Sequence, residues 1–574
     1  MSSLRDRALE LALRNAVEHG GKADAKAVLS KLLGSDPALR QQVAEVRQIV
    51  EEVVAEVNSM ELEKQKHVLA DKFGVREPVR HRDIGETRLP PPLPGAVEGK
   101  VVTRLPPEPS GYMHLGHALA GLINEHYARR YGGKLWLRFE DTNPRKARLE
   151  FYESFRRGYR WLGIEWDFEK NNSDDMEKYY MFAEKMIKEG FLYPCFCSPD
   201  EMHRQRSHGV GCVHRDMVRE KGLEVWEKAL DRGYREGEVS FRLVGDVASP
   251  NTALRDPVMF RIVDHPHPLK GREYVVWPTY DFAAAVQDGL CGVTHVLRSS
   301  EFAFRDELQN MIRGILGLSN PVYVEFSRFE FRGATTSKRE IRGLIEEGVV
   351  SGWDDPRLST IEAVKRRGIR PQAIREFTLT YAGVTQAKKE FDWSLLHSIN
   401  RKLVDPVARR LWFVSSPVKL RLVNFDGADV EVPFHPSANM GKRVIRAGGT
   451  LYISGQDAEK LVVGEVFRCK LLGNIRVVEK RDEEVVGEVV GGPPIKEGKI
   501  IQWVSDDNRF VRVIRYRPLF SEDGSVDKDS LWVEGGLAEA AVESVVFDEV
   551  VQFERYGFVR RDSPNELRFV YCHD

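Results

Sequence analysis

Residues 101–139, VVTRLPPEPSGYMHLGHALAGLINEHYARRYGGKLWLRF, carry the pattern on which the fold prediction depends. Val101–Leu105 is a short apolar run typical of a buried strand, and a proline-rich loop follows it. A helix is predicted from about Leu115 to Arg130, with Gly132-Gly133 ending it, and Lys134–Phe139 is predicted as a second strand. Strand, helix and strand within about 40 residues form a βαβ unit and predict a parallel sheet.

The carboxyl ends of these predicted strands are where a ligand is expected, because parallel sheets bind ligands at that edge. Arg104 and Glu140 both fall there. His114 and His117 flank Gly116 at the predicted start of the helix, where free N–H groups and a partial positive charge favour phosphate. Two histidines at this spacing can equally be packing or surface residues, so the motif alone does not establish a nucleotide site.

A second motif, Thr-Ser-Lys-Arg at residues 336–339, precedes another predicted helix. A loop with a lysine and an arginine can hold a pyrophosphate while negative charge develops in a transition state. Four such residues in isolation are common surface sequence, so this motif gains meaning only together with the first.

Taken together, the two motifs resemble the HIGH and KMSKS signatures of the class I aminoacyl-tRNA synthetases. The flanking segments resemble the glutamyl and glutaminyl branch of that class; they are RLPPEPSGYMHLGHA, LRFEDTNP, WPTYDFA, GVTHVLR and EEGVVSGWDDPRL. The resemblance is strong over residues 99–400 and looser to residue 574. A helical N-terminal extension and a strand-rich C-terminal region are similar to the archaeal glutamyl enzymes, since the bacterial ones have a helical anticodon domain.

The resemblance implies a site for ATP and Mg²⁺ in which His114, His117 and Lys338 are catalytic, with Lys338 stabilising the pentavalent phosphate. The ATP-binding residues that it implies are Pro107, Ser110, Gly111, His114, Gly116, His117, Ser337, Lys338 and Arg339. It further implies that Arg104 binds the carboxylate of the amino acid, that Glu140 holds its ammonium group, and that Tyr280 lines the side-chain pocket.

Arg298, in THVLR, bears on the choice of amino acid. A guanidinium pairs bidentately with the second carboxylate of glutamate, whereas the amide of glutamine would leave the buried charge unmatched. Glutaminyl enzymes usually lack this arginine, so the sequence favours glutamate. The alternative is that Arg298 forms a structural ion pair with a residue such as Glu301.

The reaction implied is the ligation of glutamate to tRNA(Glu) through glutamyl-adenylate, with activation that requires bound tRNA. Whether tRNA(Gln) is charged as well stays open. One rival hypothesis is a glutaminyl-tRNA synthetase, and another is a non-catalytic, synthetase-like RNA-binding or scaffold protein.

A cysteine and histidine cluster, Cys195, Cys197, Cys212 and His214, has the ligand types that suit tetrahedral zinc. Similar sets form a structural knuckle in the family that the chain resembles. Free buried thiols are the alternative.

The predicted fold is a multidomain α/β protein with a class I Rossmann-like catalytic core. Apolar residues at helical spacing between Val43 and Val57 predict helices over residues 1 to about 80. Short alternating apolar runs, among them Val462–Phe467, predict strands from Val418 onward. The predicted domains are an N-terminal helical extension and linker (1–98), the first Rossmann half (99–171), an acceptor-binding insertion with the zinc knuckle (172–278), the second Rossmann half (279–332), a KMSKS-type loop and helical subdomain (333–415) and a β-barrel anticodon-binding region (416–574).

The bulk composition suits a large cytoplasmic enzyme, and no membrane or DNA partner is expected. The net charge of −1 is not that of a typical RNA-binding protein, but a large enzyme can confine positive charge to one groove. Any one basic cluster is more often a solvated face than an RNA contact. The candidate RNA-contact clusters are Lys365-Arg366-Arg367 with Arg370; Arg401, Lys402, Arg409, Arg410, Lys419 and Arg421; and Arg509, Arg512, Arg515 and Arg517 beside Phe510 and Tyr516.

Overall fold

The structure is a computed structural model that describes residues 4–18, 21–35, 39, 43–73, 90–384, 389–493, 495 and 499–574. Contacts divide the chain into one unit of residues 1–88 and a second of residues 89–574. Within the described ranges, none of the helices combines the length and apolar character that crossing a bilayer requires.

The first unit is helical, with its own apolar core. Its helices are α1 (Leu4–Glu18), α2 (Ala25–Ser35), α3 (Val43–Asn58) and α4 (Leu62–Phe73). Val46, Val50, Val53 and Val57 are buried along one face of α3, which confirms the helical period predicted there. Residues 74–80 of the predicted helical segment lie outside the described residues.

The second unit begins with a parallel βαβ arrangement, as predicted. Its first elements are β1 (Val102–Leu105), α5 (Leu115–Arg130), β2 (Lys134–Phe139), α6 (Leu149–Trp161) and β3 (Phe168–Asn171). The sheet order is β1-β2-β3, and both pairings are parallel. The prediction for α5 and β2 is confirmed at both ends, while β1 begins one residue later than predicted.

An antiparallel sheet of order β4-β5-β6-β7 follows, with its own apolar core. Its elements are α7 (Met176–Glu189), β4 (Leu192–Cys195), α8 (Pro199–His208), α9 (Arg219–Leu230), β5 (Ser240–Leu243), β6 (Val258–Ile262) and β7 (Val276–Pro278).

The chain then returns to lie beside the first sheet, where it forms a separate two-stranded sheet. The elements are α10 (Tyr280–Leu290), β8 (His295–Ser299), α11 (Asp306–Leu316) and β9 (Val322–Phe326), with β8 and β9 parallel. Beside β8, the Thr294 N–H donates to the Val102 carbonyl over 3.0 Å, so β8 lies next to β1. The carboxyl ends of β1, β2 and β8 therefore meet at one edge.

A mostly helical region connects this core to the C-terminal strands. Its elements are β10 (Phe329–Phe331), α12 (Lys338–Glu346), α13 (Ile361–Arg366), α14 (Pro371–Glu376), β11 (Lys389–Phe391) and α15 (Trp393–Val404).

The C-terminal region is strand-rich, as predicted, and contains two seven-stranded, barrel-like sheets. The elements are β12 (Arg410–Leu411), β13 (Phe413–Ser415), β14 (Pro417–Leu422), β15 (Ala428–Pro433), β16 (Lys442–Ala447), β17 (Thr450–Ser454), α16 (Gly455–Glu459), β18 (Val466–Cys469), β19 (Gly473–Lys480), β20 (Glu484–Val490), β21 (Ile500–Ile501), β22 (Trp503–Ser505), β23 (Asn508–Tyr516), β24 (Leu531–Glu539), β25 (Val550–Phe553), β26 (Gly557–Arg561) and β27 (Arg568–His573).

The two sheets are joined through a short alternating segment. Their orders are β21-β18-β19-β20-β14-β17-β22 and β12-β25-β26-β27-β23-β24-β13. Trp412 and Val414 enter the core of the first, while Leu411 and Phe413 enter the core of the second. Side chains that alternate along an extended chain thus hold both cores together.

One strand prediction was too long. The segment Val462–Phe467 was predicted as a strand, but β18 begins at Val466. Gly464 adopts a φ of +86° in the turn before it. Val462 and Val463 are exposed, so their apolar character does not reflect burial.

A close backbone approach at Gly133 yields a stability prediction. A Cβ on Gly133 would lie 2.0 Å from the Val101 carbonyl oxygen, so Gly133→Ala must displace β1 or β2. We expect a destabilisation of about 1–3 kcal/mol, measured as a lower melting temperature. Gly314→Ala is the control, because Gly314 lies within α11 with open space around it and alanine favours a helix. Equal melting of Gly133→Ala and wild type would contradict the prediction.

Candidate active site

A cavity of about 390 Å³ opens at the edge where β1, β2 and β8 end. Residues from many separate segments of the chain, between Arg104 and Lys338, meet in its wall. The predicted site residues that line it are Arg104, Pro107, His114, Gly116, His117, Glu140, Tyr280, Arg298 and Lys338.

The other four predicted ATP-binding residues lie around Lys338, outside the cavity wall. Lys338 Nζ donates to Ser110 Oγ over 2.9 Å, and Gly111 lies against the Lys338 side chain. Ser337 caps α12, its Oγ accepting from the Glu340 N–H over 3.4 Å. Arg339 lines an adjoining groove that also includes Ser110 and Lys338.

The two histidines form a closely packed, tilted pair at the start of α5. Their ring centroids lie 3.7 Å apart, and the His114 N–H donates to His117 Nδ1 over 3.3 Å. A Cβ on Gly116 would lie 3.0 Å from His114 Cε1, so a larger residue there would crowd the His114 ring.

Both imidazoles are neutral near pH 7. Burial, with a contribution from the nearby Lys338 ammonium, lowers the pKa of His114 to about 3. Burial and His114 lower the pKa of His117 well below its ordinary value. The buried Nδ1 of His114 has no hydrogen-bond partner among the described residues. The pair can therefore exchange hydrogen bonds with a ligand without adding positive charge.

Lys338 links the two motifs. Besides Ser110 Oγ, its Nζ donates to the Glu108 carbonyl over 3.2 Å. Burial lowers the pKa of Lys338 to about 8, so the ammonium form still predominates at neutral pH. The residue can place a positive charge beside the histidine pair.

A buried carboxylate, Asp288, lies next to Arg104, which lines the cavity. It accepts from Arg138 NH1 over 2.7 Å, with Arg104 Nε at 3.4 Å and Arg313 NH1 at 4.0 Å. Burial alone would raise the pKa of Asp288, but Arg138 and Arg104 hold it below its ordinary value. All four side chains are at most 2% exposed.

Asp288, Arg138 and Arg313 were not predicted as site residues from the sequence. A charged residue within the apolar strand LWLRF was the available signal for Arg138. Arg104 is held by this carboxylate and by the Leu297 carbonyl over 3.3 Å, and it still contributes to the cavity wall.

Glu140 is a carboxylate with an unused acceptor. Its Oε1 has no hydrogen-bond partner among the described residues, and Arg138 NH2 lies 3.6 Å away. Burial raises the pKa of Glu140 to about 7. Such a group is suited to accept hydrogen bonds from a cationic ligand.

Arg298 already has an ion-pair partner, but it is not Glu301. The partner is Asp306, while Glu301 lies 3.8 Å from Arg328. Arg298 NH1 also donates to Gln309 Oε1 over 3.1 Å and lies 3.4 Å from the Tyr280 hydroxyl. Its buried Nε has no partner among the described residues.

The cysteine and histidine cluster lies between β4 and the loop after α8. Cys212 Sγ lies 3.6 Å from Cys195 Sγ, 3.4 Å from Cys197 Sγ and 3.1 Å from His214 Nδ1. All four ligand atoms lie within 4.8 Å of one another. Tetrahedral zinc would separate such atoms by roughly 3.4–3.8 Å.

Two further groups point at the sulfurs of this cluster. Arg242 NH1 lies 3.7 Å from Cys195 Sγ, and Gln205 Nε2 lies 3.5 Å from Cys197 Sγ. Donors to sulfur favour the thiolate form that binds a metal. The residues therefore fit zinc.

The predicted RNA-contact clusters are less available than the sequence indicated. Arg366 pairs with Asp562 over 2.8 Å, and Arg367 is only 3% exposed. Other members of the clusters also form ion pairs; they are Arg409, Arg410, Lys419, Arg421, Arg509 and Arg517.

Three family models match the chain. The catalytic domain of the class I (E and Q) tRNA synthetases matches residues 100–406. Two anti-codon binding domain models of the same class match residues 408–492 and 500–562.

Curated archaeal proteins are similar over their full length. A glutamate–tRNA ligase of Cenarchaeum symbiosum is 40% identical over 572 residues, covering 100% of both chains. Those of Nitrosopumilus maritimus and Pyrococcus abyssi are 39% and 40% identical, covering 98% and 99% of both chains. A solved glutamate tRNA ligase from Elizabethkingia meningosepticum aligns at a TM-score of 0.39 and 18% identity over 53% of this chain and 70% of that one. From the catalytic and anti-codon binding matches, the chain belongs to the class I tRNA synthetases of the glutamate and glutamine (E and Q) family.

Proposed function

We propose that this protein is a glutamate–tRNA ligase, which activates glutamate with ATP and transfers it to tRNA. The observation that carries the proposal is one cavity that gathers the histidine pair, Lys338 and Arg298. The similarity to curated glutamate–tRNA ligases over the whole chain supports it.

In the first step, an oxygen of the glutamate α-carboxylate bonds to the α-phosphorus of ATP. The bond from that phosphorus to the bridging oxygen breaks, and pyrophosphate leaves. Mg²⁺ enters with the ATP phosphates as part of that substrate. His114 and His117 hydrogen-bond the nucleotide as neutral groups, and the Lys338 ammonium stabilises the charge on the pentavalent phosphorus.

In the second step, the terminal ribose hydroxyl of the tRNA attacks the glutamyl carbonyl, and AMP leaves. No covalent bond to the protein is needed, so positioning and charge stabilisation supply the rate. The anti-codon binding matches at residues 408–492 and 500–562 support tRNA as the partner.

Three residues of the cavity wall are suited to hold the amino acid. Glu140 Oε1 receives the α-ammonium group. Arg104 carries positive charge at the cavity wall for the α-carboxylate. Arg298 pairs with the side-chain carboxylate, and Asp306 holds the guanidinium in place before the substrate arrives.

One observation favours glutamine as a second candidate substrate. Because Asp306 already compensates the charge of Arg298, a neutral amide would not leave that charge wholly unmatched. The two substrates therefore have to be compared directly.

Zinc is proposed as a structural metal in the cluster of Cys195, Cys197, Cys212 and His214. Four protein ligands close the coordination shell, which leaves no position for a reacting group. Bound there, zinc would tie β4 to the loop that carries Cys212.

The role of Arg298 predicts a loss of glutamate activation in Arg298→Leu. Removing one member of a buried charge pair costs roughly 2–5 kcal/mol, so kcat/KM for glutamate should fall by at least about 30-fold. Arg298→Lys, which keeps the charge without the planar fork, should fall less. The measurement is ATP–pyrophosphate exchange with tRNA present. Unchanged kcat/KM in Arg298→Leu would refute the role.

The pKa values predict a bell-shaped pH profile of kcat/KM in the same exchange assay, because this ratio reports the free enzyme. Activity should fall as the pH drops through about 7, where Glu140 gains a proton, and as it rises through about 8, where Lys338 loses one. Lys338→Arg stays charged, so its profile should lose the alkaline limb, and Glu140→Gln should lose the acid limb. Persistence of both limbs in these variants would count against the assignments.

The zinc proposal predicts about one zinc ion per chain in protein purified without chelators, measured by elemental mass spectrometry. Cys212→Ser should lose the metal and melt at a lower temperature. Cys291→Ser is the control, because Cys291 is also buried but lies outside the cluster. Equal, near-zero zinc in wild type and Cys212→Ser would overturn the proposal.

A further inference from the structure

A second cavity, of about 420 Å³, lies between α15 and the strands β23 and β27. It shares no lining residue with the active-site cavity. Its volume falls within the range of about 300–1,000 Å³ that small-molecule sites occupy. Its lining combines arginines with aromatic rings.

Arg367 is a buried cation in its wall without an anionic partner. The residue is 3% exposed, and no carboxylate of the described residues forms an ion pair with it. Its Nε has no hydrogen-bond partner there, its NH2 donates to the Leu358 carbonyl over 3.4 Å, and the guanidinium also contacts the neutral hydroxyl of Tyr516. Burial lowers the pKa of Arg367, which reflects the cost of leaving this charge uncompensated. An anion bound in the cavity would remove that cost.

Flat rings form a row beside the guanidinium. The Arg367 Cζ lies 3.9 Å from the centre of the Trp393 ring. His397 stacks between Trp393 and His573, with centroid distances of 6.3 and 5.5 Å. The buried Nε2 of His397 also lacks a partner among the described residues. These rings face one another, so the row presents ring edges and one free hydrogen-bonding group, His397 Nε2.

Charge at the mouth of the cavity is mainly positive. Arg401 is exposed, and no carboxylate of the described residues forms an ion pair with it. Arg357 and Arg517 also line the cavity, but each has an aspartate partner. Asp574, the acidic member of the lining set, accepts from the Tyr571 hydroxyl. Arg367 and Arg401 are therefore the cations open to a ligand.

We propose that this cavity binds a nucleotide unit, with the phosphate at Arg367 and Arg401 and the base against the row of Trp393, His397 and His573. A guanidinium binds phosphate in a bidentate manner, and the free Nε2 of His397 can exchange a hydrogen bond with the polar edge of a base. Two sources share this chemistry, a free mononucleotide and a nucleotide of bound tRNA. The second source rests on the proposed function, and the first does not.

The first arm of the test is equilibrium dialysis of the full chain with labelled AMP. If a free mononucleotide is the ligand, wild type binds two AMP molecules, one in each cavity. Arg401→Glu should bind one. Lys402→Glu is the matched control, because Lys402 is an exposed neighbour in α15 that does not line the cavity, and it should bind two. Arg367→Gln, checked for folding by its melting temperature, should behave like Arg401→Glu.

The second arm is filter binding of tRNA by the same proteins. If a tRNA nucleotide is the ligand, wild type binds one AMP, and Arg401→Glu raises the Kd for tRNA about tenfold over Lys402→Glu. One AMP per chain, together with equal tRNA affinities in Arg401→Glu and Lys402→Glu, would overturn the proposal. Aminoacylation by wild type is measured separately, so a failure of the proposed function is recognised independently of the AMP result.

Discussion

The buried contact between Asp288 and the arginines at the end of β1 and β2 is the constraint on which the active site depends. Arg104 and Arg138 come from the first half of the sheet, while Asp288 and Arg313 come from the helices beside β8. Asp288 meets three guanidinium groups with one negative charge, away from water. Losing one partner of such a set typically costs about 3–5 kcal/mol. The same contact thus joins β1 and β2 to the helices beside β8 and fixes the cavity wall.

The catalytic groups near this contact come from segments that are distant in the sequence, and burial lowers their pKa values. The Lys338 ammonium meets Ser110, 228 residues earlier in the chain, and remains the positive group beside two neutral imidazoles. Because the histidines are neutral, Lys338 supplies the positive charge that stabilises the negative charge developing on the phosphate in the transition state. The arrangement suits nucleotide activation better than simple nucleotide storage.

Local patterns predicted the features that depend on nearby residues. The strand–helix–strand segment, the histidine pair at the start of α5 and the cysteine cluster all follow from short spacings. Partners distant in sequence could not be predicted in this way. Asp288 is 150 residues from Arg138, and the ion-pair partner of Arg298 is Asp306 instead of Glu301, which was the example given for the alternative interpretation. Arg366 and Arg367 were predicted to belong to a basic surface cluster. In the structure Arg366 pairs with Asp562 from the C-terminal region, and Arg367 is buried.

The most direct test of the account is a charging assay with labelled glutamate and labelled glutamine, each offered with purified tRNA(Glu) and tRNA(Gln). The account predicts that glutamate becomes attached to tRNA(Glu) and that glutamine is attached to neither tRNA. Glutamate on tRNA(Gln) as well would identify a non-discriminating enzyme and leave the role of Arg298 intact. Attachment of glutamine, or of neither amino acid with ATP present, would contradict the account.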